Sequence, residues 1–257
     1  MKTVPASPPR RFRWLPPALP PLLCLAAIWQ AVSVSGFVPG YMLPGPLRVL
    51  AALWSDRLLL AGHLGRTLAE AAAGLGLAVA AAFILAVVMD TSRRVKETLG
   101  PIILLTQTLP AVAIAPLLIL WMGYGSAPKI ALVFLTCFFP LTMALLGAFS
   151  GADQDEIRLL KSMGAGPVQL YRYIKIPSGV ETFFSGLRIS ASYSIIGAVI
   201  SEWLGGDAGL GVYMIRVRKS YSFDKMFAAI LVVALLSLLL IKLVELAEAA
   251  ATPWKKV

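Results

Sequence analysis

The sequence contains little cysteine, little histidine and few charged residues. Both cysteines, Cys24 and Cys137, lie inside apolar runs, and the single histidine, His63, has no ligand cluster around it. This pattern predicts buried small side chains and a structural or interfacial histidine, and it indicates neither a disulfide framework nor a metal site. Charged residues make up 14% of the chain and hydrophobic residues 58%. Because soluble domains carry about 25% charged residues, this composition argues against a water-soluble single domain.

The sequence also lacks the signatures of an ATP-binding or catalytic chain. It has no G-x-x-x-x-G-K-[ST] loop, whose backbone N–H groups would surround phosphates. The glycines between 205 and 211 do not replace such a loop, because no strand–helix unit surrounds them. No cluster of His, Asp and Glu and no pair of nucleophile and base lies within the apolar runs. We therefore predict that the chain is not an enzyme and needs no cofactor.

What the sequence has instead is long apolar runs. About 20 helical residues, each rising about 1.5 Å, cross the hydrocarbon core of a bilayer. We predict an all-α, polytopic membrane protein, one transmembrane domain over residues 1–257, whose spans lie in lipid. The six predicted spans are 17–36, 66–89, 99–122, 128–149, 183–204 and 226–248. A cleavable signal peptide is the alternative interpretation of the first span. The prolines and the length of this segment, together with a poor cleavage site, favour a retained span.

The distribution of basic residues predicts the orientation. A net charge of +10 would suggest nucleic acid in a soluble chain, but here basic residues flank spans, and we predict no nucleic-acid partner. With a cytoplasmic N-terminus, the inside segments hold 13 Lys and Arg residues and the outside segments 8. This bias favours cytoplasmic N- and C-termini, although the basic cluster at 216–219 argues against it. Segment 150–182, between the fourth and fifth spans, is then cytoplasmic.

The third predicted span contains candidate pathway residues. It carries three prolines, and each removes a backbone donor and can kink the helix. Thr106, Gln107 and Thr108 directly precede Pro110 and could satisfy the freed backbone groups. We regard Gln107 and Pro110 as candidate pathway residues, with ordinary structural kinking as the alternative.

Glu202 is a candidate gate residue near the outer mouth. It follows an apolar run and directly precedes Trp203, which suits an interfacial position. A carboxylate is costly in hydrocarbon, so it should face a cavity or a partner. The alternative is an ion pair with the basic residues at 216–219.

Segment 150–182, which we call the insert, begins with a predicted amphipathic helix. Acidic residues at 153–156 suit the positive end of the helix dipole. Ile157, Leu160 and Met163 follow at a spacing of three and are predicted to share one face. Gly164 is predicted to cap the C-terminus of this helix.

A second short helix is predicted after the glycine hinge. Pro167 suits its first turn, and Val168, Tyr171 and Ile174 are predicted to share a face. Pro177 is predicted to end it. An amphipathic helix outside the bilayer must bury its apolar face against the lipid surface, the ends of its own spans or a partner protein.

The insert resembles the cytoplasmic loop of bacterial ABC importer permeases. That loop ends in glycine, nine residues, isoleucine, any residue, leucine and proline, and here Gly164 is followed after nine residues by Ile174–Pro177, with Ile176 in place of the leucine. The family's opening Glu-Ala-Ala is replaced by Arg158–Leu160. The resemblance covers about 37–250. Stretches 106–125 and 185–211 resemble the branch that carries sulfonates, taurine, nitrate and the pyrimidine precursor of thiamine.

The resemblance implies the ABC importer permease fold in the bacterial inner membrane. It also implies separate ABC ATPase subunits, a soluble substrate-binding protein and a second permease copy in a homodimer. Segment 165–173 would be the coupling helix, which docks in a groove of the ATPase. The residues assigned to this contact are Gly164, Ala165, Gly166, Pro167, Val168, Leu170, Tyr171, Ile174 and Pro177.

The resemblance also suggests a substrate. The run 193–211 is most similar to thiamine-precursor permeases, which implies a small polar or heteroaromatic solute. Trp121, Tyr124, Tyr193 and Trp203 could stack on such a ring, with interfacial anchoring as the alternative. The sequence leaves open a permease for sulfonate-, taurine- or nitrate-type anions, and a stand-alone secondary transporter as well, although no inverted repeat is visible.

Overall fold

The computed structural model describes residues 19–253, and every regular element among them is helical. A short π-helix, Tyr171–Lys175, joins two of the α-helices. The α-helices are α1 (Leu19–Val34), α2 (Pro46–Ser55), α3 (Arg57–Thr91), α4 (Arg93–Thr108), α5 (Ala111–Met122), α6 (Ala127–Ser150), α7 (Gln154–Ser162), α8 (Pro167–Leu170), α9 (Ile176–Gly205), α10 (Leu210–Lys219) and α11 (Phe223–Ala251).

Three long helices, α3, α6 and α9, form the centre of the fold. They approach closely because glycines lie at the contacts. A Cβ on Gly74 of α3 would lie 2.5 Å from the Cβ of Val133 on α6, and one on Gly186 of α9 would lie 2.3 Å from the Cβ of Ala144. Lipid supplies no hydrophobic force between helices, so close packing of small residues is how such helices associate.

The helices are long enough for a multi-pass membrane protein. Four of them could cross a bilayer, and a fifth crossing results if α4 and α5 form one broken span. The four are Arg57–Thr91, Ala127–Ser150, Pro167–Gly205 and Phe223–Ala251. With 16 residues, α1 is shorter than the roughly 20 of a straight crossing. The predicted first span, 17–36, begins outside the described residues. The count of six spans and the orientation of the termini stay predictions.

The cysteines differ in their surroundings. Cys137 on α6 is buried, as predicted, whereas Cys24 on α1 is exposed. The prediction was wrong for Cys24 because α1 lies at the edge of the fold, where it packs mainly beside α2.

The third predicted span, 99–122, is two helices rather than one. α4 and α5 meet at an angle of 98°, with Pro110 in an extended conformation directly before α5. The hydroxyls of Thr106 and Thr108 donate to the carbonyls of Ile103 and Leu105 at 2.6 and 2.8 Å. These bonds do not reach the Thr106 carbonyl, which is the group that Pro110 frees, so the predicted compensation stays a prediction.

The prediction that Pro177 ends a helix is wrong. The chain is helical from Pro167 to Gly205, and the π-helix ends two residues before Pro177. There the N–H of Ile176 donates to the carbonyl of Tyr171, five residues back. This wider turn changes the hydrogen-bond register just where the proline lacks a donor, so the helix continues into the membrane.

The long helices connect two ends of the molecule. We call the end that contains the insert the insert end; it includes the C-termini of α3, α6 and α11 and the start of α9. The far end contains the N-termini of α3, α6 and α11 and the loop 206–209 between α9 and α10.

Candidate functional site

The first half of the insert has the caps that the sequence predicts. The Asp153 carboxylate accepts from the N–H of Asp155 at 2.8 Å at the start of α7. After the last residues of α7, Gly164 has a φ of +86°. The N–H of Gly164 donates to the carbonyl of Lys161 at 3.0 Å. The N–H of Ala165 donates to the carbonyl of Leu160 at 3.1 Å. This pair of bonds is a Schellman motif, and the positive φ is why a glycine stands here.

The second half begins at Pro167, also as predicted. The Gln169 side chain accepts from the N–H of Gly166 at 2.7 Å, which satisfies one free donor of the helix start. Helix α8 has only four residues before the π-helix takes over. The insert is thus a helical hairpin with a capped, tightly bonded turn.

The inner face of this hairpin is apolar but differs from the predicted face. Ile157 from α7 packs with Leu170 and Ile174 in a small buried cluster that also includes Ala152. Val168, predicted to share a face with Ile174, is exposed because the hairpin turns the Leu170 side of the helix inward. The prediction for Val168 is therefore wrong.

The outer surface of the hairpin carries large apolar side chains that face outward. Met163, predicted to lie on the face of Ile157, is 75% exposed, and Val168 is 78% exposed. We call the four exposed residues Leu159, Met163, Val168 and Tyr173 the insert tip. Met163 and Tyr173 also line a cavity of about 210 Å³ beside the Gly164 turn.

The insert is fastened to α3 at its base. The Asp90 carboxylate at the end of α3 accepts from the Tyr171 hydroxyl at 2.6 Å and is paired with the Lys175 ammonium. The Tyr171 ring also meets the Phe149 ring of α6 edge-on, with centroids 5.4 Å apart. These contacts join the π-helix to two of the three central helices.

Two of the three candidate pathway residues line one groove. Gln107 and Pro110 lie at the break between α4 and α5, on the wall of a groove of about 390 Å³ whose other walls come from α6 and α9. Phe139 of α6 and Tyr193 of α9 supply aromatic rings to these other walls. Trp121, Tyr124 and Trp203 lie outside this groove.

Glu202 lies elsewhere, in a buried network at the far end. Its carboxylate accepts from the Thr67 hydroxyl at 2.7 Å and from the N–H of Gly211 at 2.6 Å. The alternative for Glu202 was an ion pair with the basic residues at 216–219, but the Arg216 guanidinium donates to the Asp207 carbonyl at 2.9 Å instead. Glu202 is 1% exposed, so it does not line the groove with Gln107.

The same network contains residues that sequence reasoning missed. Lys129 pairs with Glu70 at 3.0 Å, and both side chains are 2% exposed. One oxygen of Glu70 has no hydrogen-bond partner among the described residues. His63 accepts from the N–H of Gly209 at 3.0 Å. A glutamate inside an apolar run was the available signal, but its partner Lys129 lies on another helix and could not be chosen from the sequence.

A second ion pair fastens the far end of α11. Lys225 donates to both carboxylate oxygens of Asp56, at 3.1 and 2.9 Å, and the Tyr213 hydroxyl donates to the same carboxylate at 2.9 Å. The Lys225 hydrogen bond holds the pKa of Asp56 below its ordinary value. Burial and the neighbouring Asp56 raise the pKa of Tyr213. Asp56 therefore joins α2, α10 and α11 as a charged acceptor.

Comparison with known proteins gives a family and a set of relatives. The model of the family described as binding-protein-dependent transport system inner membrane component matches residues 74–253. A probable ABC transporter permease protein of Haemophilus influenzae is 39% identical over 225 residues, which cover 86% of this chain and 92% of that protein. The formylaminopyrimidine transport permease protein ThiX of Halalkalibacterium halodurans is 32% identical over 248 residues, which cover 96% of this chain and 98% of that protein.

A solved structure shares the fold. The MetNI methionine ABC transporter in inward-facing conformations matches with a TM-score of 0.69 and 16% identity, over 76% of this chain and 97% of that one. At this identity the likeness shows the fold alone, and it is the fold that the sequence resemblance implied.

Proposed function

The chain belongs to the family of inner membrane components of binding-protein-dependent transport systems, and on that premise we propose that its insert couples transport to a separate ATPase. It is the permease type of subunit, as its relatives are, and not the type that hydrolyses ATP. The proposed complex lies in the bacterial inner membrane, with the insert on the cytoplasmic side.

The insert tip is the observation that carries the proposal. Its apolar side chains are exposed, while the hairpin beneath them is capped at both helix ends and closed by its own apolar cluster. A folded segment with an exposed apolar surface gains free energy when a partner covers that surface. The coupling residues proposed by resemblance, from Gly164 to Pro177, form this hairpin and its base.

The hairpin suits a mechanical role because it is firmly joined to the spans. The π-helix continues into α9 without a break, and Asp90 fastens it to α3. Movement of a docked ATPase would therefore move the central helices as a rigid body, which is a common form of switching between two states.

Val168→Glu and Val168→Leu test the coupling. Val168 is exposed, so neither change should disturb folding, but a glutamate would place a charge in the proposed contact. We expect Val168→Glu to lose transport and substrate-stimulated ATP hydrolysis in proteoliposomes, and Val168→Leu to retain both. The partner must be a co-purifying polypeptide with a G-x-x-x-x-G-K-[ST] loop that hydrolyses ATP. Normal transport by Val168→Glu within that complex would contradict the assignment.

The groove at Gln107 and Pro110 is proposed as part of the transport pathway. Both residues are exposed in the single chain, and a second copy facing the groove would enclose it. The mass of the purified complex in nanodiscs tests this. We expect two copies of the chain, and a single copy in an actively transporting complex would contradict the homodimer.

The proposed substrate is a small heteroaromatic solute, with an aminopyrimidine precursor of thiamine as the specific candidate. Support comes from the similarity to ThiX and from Tyr193 and Phe139 in the groove wall. Taurine and aliphatic sulfonates are the alternatives, because permeases named for them are 28% and 27% identical to this chain. Uptake of a labelled aminopyrimidine should be competed by the unlabelled compound and not by taurine; the reverse pattern would favour the alternative.

A further inference from the structure

We infer that α3 transmits the movement of the insert to the far end, and that Asp90 is the positioning residue that receives it. This inference rests on the proposed coupling function and assigns a role to residues outside the insert.

At the insert end, Asp90 provides a charged link between the hairpin and α3, beside weaker contacts of the Tyr171 hydroxyl with the Val87 carbonyl and the Thr91 hydroxyl, both at 3.4 Å. The Asp90 side chain is 8% exposed and that of its partner Lys175 is 16% exposed. The Tyr171 hydroxyl adds a second bond to the same oxygen, and the Lys175 ammonium lies 4.9 Å from the centre of the Tyr171 ring. Because an ion pair shielded from water is costly to break on one side, the π-helix and the end of α3 should move together.

At the far end, α3 holds the loop between α9 and α10. The Thr67 hydroxyl accepts from the N–H of Leu210 at 2.9 Å and donates to Glu202 at 2.7 Å. His63 accepts from the N–H of Gly209 at 3.0 Å. The loop backbone is therefore bonded directly to side chains of α3, and a shift of this helix would pull on it or release it.

The helix between these two contacts is suited to act as a rod. It runs unbroken over 35 residues and contains no proline. From Thr67 to Asp90 it rises about 35 Å at about 1.5 Å per residue, which is enough to cross the hydrocarbon core. By contrast, α6 contains Pro140, and the α4–α5 pair bends by 98°.

The test measures how fast a thiol on the far-end loop is labelled in variants that break the pair of Asp90 and Lys175. In a Cys24→Ser background, Ala208→Cys places a thiol on the loop, and Cys137 is buried. The complex with its co-purified ATPase is placed in nanodiscs, and the rate of maleimide labelling is measured with and without ATP and vanadate. Asp90→Asn and Lys175→Met each break the link, and the exchange Asp90→Lys with Lys175→Asp restores a pair. Glu248→Gln is the matched control, because it breaks the pair of Arg188 and Glu248 between α9 and α11.

The labelling rates of these variants should follow a specific pattern. Nucleotide should change the labelling rate severalfold in the unaltered background and in Glu248→Gln. Asp90→Asn and Lys175→Met should lose this change while still binding the ATPase and hydrolysing ATP, and the charge exchange should recover it. Full nucleotide response in both single variants would overturn the role of Asp90, as would an equal loss in Glu248→Gln. No response in the unaltered background would instead overturn the proposed function, and this inference with it.

Discussion

The two ends of the molecule are built in opposite ways. At the insert end, the bonds that shape the hairpin join residues close in sequence, such as Asp153 with Asp155, and large apolar side chains face outward. At the far end, bonds join residues from separate helices, such as Thr67 with Glu202, which lie 135 positions apart, and polar side chains are buried. The insert is therefore a locally folded unit with a surface left for a partner, whereas the far end is held by tertiary contacts and satisfies most of its polar groups internally.

The largest effect is expected from breaking the buried pair at the far end. Lys129→Met would leave the buried Glu70 carboxylate with Arg66 alone, 3.2 Å from the same oxygen, so the cost should lie at the lower end of the roughly 3–5 kcal/mol for a broken buried pair. We expect a clearly lower melting temperature in detergent by a thermal unfolding assay. The double variant Glu70→Gln with Lys129→Met removes both charges and should recover much of the loss. A double variant as unstable as the single one would show that the pair is not the cause.

The next largest difference between the two ends is expected from alanine substitutions at two glycines with positive φ, Gly209 at the far end and Gly164 at the insert end. A Cβ on Gly209 would lie 2.1 Å from the Glu202 carboxyl carbon, at a φ of +123°. Gly164→Ala meets open space at a φ of +86° and should cost only about 1 kcal/mol of backbone strain. Gly209→Ala adds steric overlap worth about 1–3 kcal/mol more. Denaturation of both variants measures the difference, and equal losses would mean that the far-end loop gives way more easily than its contacts suggest.

A smaller effect is expected from pH. The pKa of Asp56 is lowered in the native state by its hydrogen bond with Lys225. The bond's contribution to stability is therefore complete above the unfolded pKa of about 4 and disappears as pH falls through the lowered native pKa. Asp56→Asn should be less stable at neutral pH, and its deficit should shrink in acid.

The insert end offers the control for this measurement. Asp155 forms an exposed pair with Arg158 at 3.3 Å, and an exposed pair contributes about 1 kcal/mol at most. Melting temperatures of Asp56→Asn and Asp155→Asn, measured from neutral pH down to about pH 3, should therefore diverge at neutral pH. A larger neutral-pH deficit for Asp155→Asn would contradict the comparison.

The smallest effect on stability belongs to the insert tip. Met163→Ser replaces an exposed side chain that makes few contacts with its own chain. The free energy of unfolding should therefore change by less than about 0.5 kcal/mol. The same variant should weaken the ATPase contact, seen as a lower ratio of ATPase to permease after purification. A large loss of stability would mean that the tip supports the fold rather than a partner.

Sequence reasoning succeeded where the structure depends on neighbouring residues. The acidic N-terminus of α7, the cap at Gly164 and the start at Pro167 are confirmed, because each needs only a local backbone geometry and a side chain within reach. It failed for Val168 and Met163, because the buried side of each helix depends on how the hairpin closes. It failed for Pro177 as well, because periodicity does not reveal a π-turn.

The amino-acid sequence alone determined that this chain is helical and lies in a membrane, and that it carries a capped, hinged insert between two apolar spans. Long apolar runs and local caps specify these features without help from distant residues. Only the tertiary structure decided that Glu70 meets Lys129, that Glu202 binds Thr67 and the start of α10 instead of facing the groove, and that Asp90 fastens the insert to α3. These contacts join residues from separate helices, and their register is set by the packing of small side chains along α3, α6 and α9.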